Sequence, residues 1–195
     1  MIQTSLGALA LFAFVTSITP GPNNLMLLAS GANFGFRRSV PHMLGIGIGF
    51  TVMIGLVGLG LFGVIERYAW VEIALKAACL VYLIWLAWKI ARTGAPTRAG
   101  GAPQPLTFLQ AAAFQWVNPK AWAMALTAIS LYAPDRSLLS ILLVCLVFGA
   151  INLPSVSVWT VLGQALGRVL TVARHRRVFN LVMAGLLILS VVPLL

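Results

Sequence analysis

The sequence predicts an all-α integral membrane protein of six transmembrane helices, arranged as a 3+3 inverted repeat with breaks in helices 1 and 4. Three observations lead there: too little polar surface for water, six long apolar windows, and basic residues gathered in alternate loops. Of the 195 residues, 61% are hydrophobic and 8% charged, and the mean hydropathy is +1.00. A water-soluble globule of this size needs far more charged surface, so lipid is the solvent. A spanning helix takes about 20 apolar residues, so six spans with short loops use residues 1–195 as a single transmembrane domain.

The first window covers residues 4–33. The stretch from Met1 to Phe12 has no basic leader and no small-residue cleavage pattern, and reads as the start of a retained helix. Thr19-Pro20-Gly21-Pro22-Asn23-Asn24 interrupts this helix. Two prolines remove two backbone donors, and with Gly21 they make a continuous helix through residues 16–24 improbable. In hydrocarbon an unpaired backbone group costs several kcal/mol, so a break survives only where protein, water or a ligand supplies partners. A proline kink repaired by neighbouring helices is the simpler reading; Asn23 and Asn24 exceed what a kink needs.

Helix 2, residues 39–65, follows Arg37 and Arg38 with Ser39 at the N-cap position. Its Gly45 and Gly49 let another helix approach closely. Helix 3, residues 68–92, opens with Tyr68 and Trp70 and closes with Trp85 and Trp88 beside Lys89 and Arg92, as interfacial belts require. Glu72 and Lys76, four apart, are expected to form a structural pair. A linker rich in proline and glycine, residues 93–106, expected to be cytoplasmic, divides the first half, 1–92, from the second, 107–195.

Helix 4, residues 107–132, breaks at Gln115-Trp116-Val117-Asn118-Pro119-Lys120. Lys120 lies about 18 Å along this helix from residue 108, near mid-membrane. A lysine there costs about 2.5–3.5 kcal/mol on insertion scales; it either snorkels to an interface or faces a cavity. In the second case its ammonium and the freed amides hold a carboxylate, while Asn118, Gln115 and loose carbonyls take an ammonium group. Helix 5, residues 137–165, has Ser137 at its N-cap and a third irregularity at Asn152-Leu153-Pro154-Ser155. Asn152 either lines the same cavity or bonds a neighbouring helix. Helix 6 covers residues 176–195. The candidate substrate-binding residues are therefore Thr19, Pro20, Gly21, Pro22, Asn23, Asn24, Gln115, Asn118, Pro119, Lys120 and Asn152.

The net charge of +10 would suggest nucleic acid in a soluble protein, but its placement argues for topology instead. Arg37, Arg38, Lys89, Arg92, Arg98, Arg168, Arg174, Arg176 and Arg177 follow helices 1, 3 and 5; Arg67 and Arg136 alone follow helices 2 and 4. The positive-inside rule makes the richer loops cytoplasmic and places both termini outside a plasma (inner) membrane. Cys79 and Cys145 sit in apolar runs and read as core filler, while His42 and His175 read as solvated loop residues. No HExxH zinc motif and no GxxxxGK[ST] phosphate loop is present, which disfavours a metalloprotease or an ATPase; no metal or cofactor is expected.

These motifs closely resemble the LysE/RhtB family of amino-acid exporters, nearly end to end. Resemblance rests on residues 19–24, Gly35-Phe36-Arg37-Arg38-Ser39, Tyr82-Leu83-Ile84-Trp85-Leu86-Ala87-Trp88-Lys89, residues 115–121, and Asn180 with Gly185. The first and fourth of these are the specific ones. The resemblance implies a small six-helix carrier driven by an ion gradient, with the form at 20–24 and the stretch at 85–90 most similar to the cysteine and O-acetylserine exporter branch; threonine and homoserine exporters are close relatives. Many family members carry an aspartate after Pro-Gly-Pro, where this chain has Asn23, so a coupling scheme that protonates a first-helix acid does not carry over; Lys120, backbone sites, Glu66 or Glu72 would serve instead. The expected partners are a small amino acid, protons and the lipid bilayer, with a homo-oligomer open. The alternatives are a carrier for basic amino acids or a metal ion, or a non-transport membrane assembly subunit.

Overall fold

The computed structural model describes residues 2–61, 63, 67–93 and 104–190, without the side chains of residues 2–5, 69 and 72. The expected Glu72–Lys76 pair, Glu66, Arg98 and most of the linker, and the last residues of helices 2 and 6 lie outside the described residues. What is described is helical: α1 (Ile2–Ile18), α2 (Pro22–Phe34), α3 (Phe36–Gly58), α4 (Ala69–Arg92), α5 (Phe108–Gln115), α6 (Pro119–Tyr132), α7 (Leu138–Val169) and α8 (Ala173–Leu189). Phe36–Gly58, Ile73–Arg92 and Leu138–Val169 are each long and apolar enough to cross a membrane. The outward surface fits lipid: Phe14, Ile73, Val81, Leu139 and Leu146 are all exposed.

Each boundary has a local cause. Gly35 ends α2 and starts α3 at φ +78°, a left-handed conformation that favours glycine. Helix α3 therefore begins at Phe36, whose N–H donates to Gln164 Oε1 at 2.6 Å. The expected N-cap Ser39 instead lies inside the helix, fully buried, donating to Gly35 O. Thr107 and Gln110 form a reciprocal capping box on α5. Ser137 caps α7 as expected, accepting from Ser140 N. In that loop the Ser140 hydroxyl, followed by Ser137, holds the Asp135 carboxyl below the usual carboxylate range. The irregularity expected at Pro154 does not interrupt α7, which runs unbroken past it; Pro154 is exposed, and Ser155 and Ser157 bond back to Ile151 O and Leu153 O.

Packing is centred on α3 and α7. Helix α7 lies along both α1 and α2, α3 lies along both α5 and α6, α3 and α7 cross each other, and α4 pairs with α8. Glycines permit the closest approaches. A Cβ on Gly31 would strike the Thr160 carbonyl, one on Gly163 the Leu28 carbonyl, and one on Gly49 would sit 2.7 Å from Ala112 Cα. One apolar cluster gathers Phe50, Met53, Phe148, Met124 and Ala128 from α3, α7 and α6, with Phe148 edge-on to Phe50 and Phe12. A second gathers Met26, Leu83, Leu86, Phe114 and Leu187. Polar side chains lie between them. At the end of α4, Lys89 sits over the Trp85 ring and Arg92 over the Trp88 ring, 5.3 and 4.4 Å from the ring centres, the expected aromatic and basic belt.

Candidate functional site

The break between α1 and α2 frees a run of carbonyls, because Pro20 and Pro22 carry no N–H. Every one has a substitute donor. Thr16 O accepts from Thr19 Oγ1, Ser17 O from Asn24 Nδ2, and Ile18 O from Trp159 Nε1 at 2.9 Å. Thr19 O accepts from both Asn24 Nδ2 at 2.7 Å and Lys120 Nζ at 2.8 Å; Pro20 O accepts from Lys120 Nζ. The break is thus held by α7 and by the second break, and Asn24 is the residue that turns it from a defect into a fixed structure.

The second break follows the same logic. Helix α5 tightens through i→i−3 bonds from Trp116, Val117 and Asn118. Asn118 then caps α6 by accepting from Lys120 N, and Pro119 takes the first helical position, where its missing N–H is no loss. Lys120 projects onto the first break, where Gly21 makes room for it: a Cβ there would lie 2.8 Å from Lys120 Cδ. Asn23 and Gln115 exchange a reciprocal pair of amide hydrogen bonds, 2.9 and 3.2 Å long, across the two broken rods.

Between the breaks lies a polar cavity, lined by Ser17, Gly21, Asn23, Asn24, Gln115, Asn118, Lys120 and Asn152, with Thr16, Phe50, Ala121, Met124 and Val156 completing the wall. The space open to the centre of a water molecule is about 20 Å³, which fits a water or two and no solute. Two acceptors are unusual. Asn24 Oδ1 and Asn152 Oδ1 are buried without a hydrogen-bond partner among the described residues, although both amide nitrogens are engaged, that of Asn152 on Ser17 Oγ. Leaving such an acceptor bare costs about 1–3 kcal/mol, so the fold carries two oriented carbonyls that await a donor.

Of the residues expected at the site, Gly21, Asn23, Asn24, Gln115, Asn118, Lys120 and Asn152 are brought together around this cavity. Thr19 and Pro20 are exposed and serve through the oxygens that receive Lys120. Pro22 and Pro119 begin the second halves of the broken rods and stand behind the wall. Of the acceptors expected for an ammonium group, Gln115 Oε1 receives Asn23 Nδ2 and Asn118 Oδ1 receives Lys120 N, whereas Asn24 Oδ1 and Asn152 Oδ1 have no partner among the described residues. Ser17 and Trp159 were not anticipated. Ser17 sits three residues before Pro20, within the run whose helical partners the prolines remove, and that counting is the signal that could have found it. His42, expected to be solvated beside a basic loop, is 1% exposed inside α3.

Comparison with known proteins bears on the whole chain. The family profile described as LysE type translocator matches residues 14–195. A cysteine/O-acetylserine efflux protein of Escherichia coli O139:H28 (strain E24377A / ETEC) is 33% identical over 192 residues, covering 96% of each chain. The proteins of the same description from Escherichia coli (strain K12) and Shigella sonnei (strain Ss046) are 32% identical over the same share. No solved structure matches the chain.

Proposed function

The chain belongs to the LysE type translocator family, and from that premise we propose that it exports small neutral amino acids of the cysteine and O-acetylserine type from the cytoplasm. The observation that carries this reading is the meeting of the two breaks: a lysine ammonium on one side of the cavity and two unpartnered amide oxygens on the other. An α-amino acid presents the complementary charges. Its carboxylate takes the place of the Thr19 and Pro20 oxygens on Lys120 Nζ, and its ammonium donates to Asn24 Oδ1 and Asn152 Oδ1. A cationic or metal substrate would need carboxylates, and none lines the cavity among the described residues.

The small cavity is the contracted form. Admitting a solute requires the two rods to part, and the Asn23–Gln115 amide pair is the contact that must open first. A 3+3 inverted repeat supports such a motion. When the rods of the first half are matched with those of the second, the contact of α2 with α7 maps onto that of α6 with α3, and α1 with α7 onto α5 with α3. The pairs α3 with α7 and α4 with α8 map onto themselves. The chain is then one transport unit in the inner membrane, with both termini outside. A zwitterion moves no net charge, so one counter-moving proton supplies about 2.3 kcal/mol per 100 mV, enough for about a fortyfold gradient.

Purified protein in vesicles loaded with O-acetyl-L-serine tests the reading. Efflux that quickens with an imposed proton gradient, and that Lys120→Ala abolishes without loss of membrane insertion, is the expected result. No flux of any neutral amino acid in the wild type would overturn it.

A further inference from the structure

A second chamber lies along the same face of α2 as the first. Asn23, Met26, Ser30 and Asn33 recur at helical spacing; Asn23 lines the central cavity, while the other three line a chamber shared with His42 of α3 and Lys89 of α4. Met26, one turn from Asn23 and on the chamber's wall, is buried in one apolar cluster with Phe114, the neighbour of Gln115. Most of the chamber's wall is apolar, and its polar groups form one patch with ordered partners. Ser30 shares a hydrogen with Ser39, and Asn33 exchanges a reciprocal amide pair with Asn180, whose Nδ2 also holds Thr93 O at the end of α4.

His42 is the anomaly. It is almost wholly buried, yet neither ring nitrogen has a hydrogen-bond partner among the described residues. A neutral imidazole carries one donor and one acceptor, so the chamber offers an unsatisfied N–H beside the ammonium of Lys89, the one charged group on its wall among the described residues. A carboxylate takes the imidazole N–H and faces Lys89, while the other ring nitrogen points to the far side of the ring and takes no part.

We propose that this chamber is an entry site for the same amino acid, in series with the central one: Lys89 and the imidazole N–H receive its carboxylate. The proposal rests on the export reading and its orientation, which puts the α2–α3 turn and the end of α4 on the cytoplasmic side. Substrate captured there passes along the α2 face once Met26 and Phe114 separate, and exchanges Lys89 for Lys120 as its carboxylate partner.

The test is side-specific transport of O-acetyl-L-serine in oriented vesicles, with half-saturation measured from each face for wild type, His42→Gln, Lys89→Gln and Lys120→Ala. In the first two variants the ratio of cytoplasmic to outer half-saturation is expected to rise at least fivefold. In Lys120→Ala both values rise together and the ratio stays within twofold. Lys89 is half-buried, so Lys89→Gln keeps the chamber's shape and decides the matter should His42→Gln fail to fold. An unchanged ratio in Lys89→Gln, with wild-type flux intact, overturns the entry site alone; absence of amino-acid flux in the wild type overturns the export reading and this site with it.

Discussion

Asn24 and Asn152 each use their amide nitrogen to hold the first break and leave their oxygen bare in the cavity. This division separates stability from binding. Asn152→Leu removes an acceptor that has no partner, so the fold should lose about 1 kcal/mol or less, through the Ser17 bond alone. Export should fall at least tenfold, the worth of about 1.4 kcal/mol at the substrate. Thermal unfolding in detergent beside vesicle efflux measures both. Asn23→Ala breaks the amide pair with Gln115 and leaves Gln115 Oε1 unpaired; export should be abolished while the protein still inserts, and wild-type efflux would remove Asn23 from the mechanism. Lys120 and Asn23 were legible from the sequence because a lysine and paired asparagines at proline breaks have few other uses in hydrocarbon. His42 was not: its helix could be read, but which face of that helix turns inward depends on how α2 and α5 pack against it.

The elements that matter are the two broken rods and the glycine contacts that fix them. Two prolines without N–H groups require helix 1 to break, and Thr19 and Asn24 replace part of what is lost locally; the other donors come from α6 and α7, about a hundred residues or more away in the chain, and no local pattern names those. The reverse error occurred at Pro154, where an equal signal met an exposed helix face and no break formed. Restoring the donors with Pro20→Ala and Pro22→Ala together should let residues 16–24 close into helix, displacing Asn24 and Trp159. We expect export to fall at least tenfold while the unfolding temperature holds or rises; efflux at the wild-type rate would show that the break is dispensable. Gly163→Ala places a Cβ against the Leu28 carbonyl where α2 and α7 touch and should lower stability by about 1–3 kcal/mol, read as a lower unfolding temperature.

At the scale of the whole molecule, the all-helical architecture was legible from composition and apolar windows, whereas the closed state of the cavity was not, since it depends on how the halves meet. The charge pattern predicts that a tag at either terminus is accessible to an impermeant reagent from outside the cell and one in the 93–106 linker is not. The central claim is that the two breaks grip opposite ends of one amino acid, and the most direct measurement crosses protein and ligand changes. Binding to purified protein is compared for cysteine, cysteamine, which lacks the carboxylate, and 3-mercaptopropionate, which lacks the ammonium, in wild type, Lys120→Ala and Asn24→Leu with Asn152→Leu. The account predicts that loss of the carboxylate weakens binding to wild type at least tenfold and to Lys120→Ala hardly at all, and that loss of the ammonium is likewise silent only in the double asparagine variant. Penalties that persist undiminished in the matched variants would contradict it.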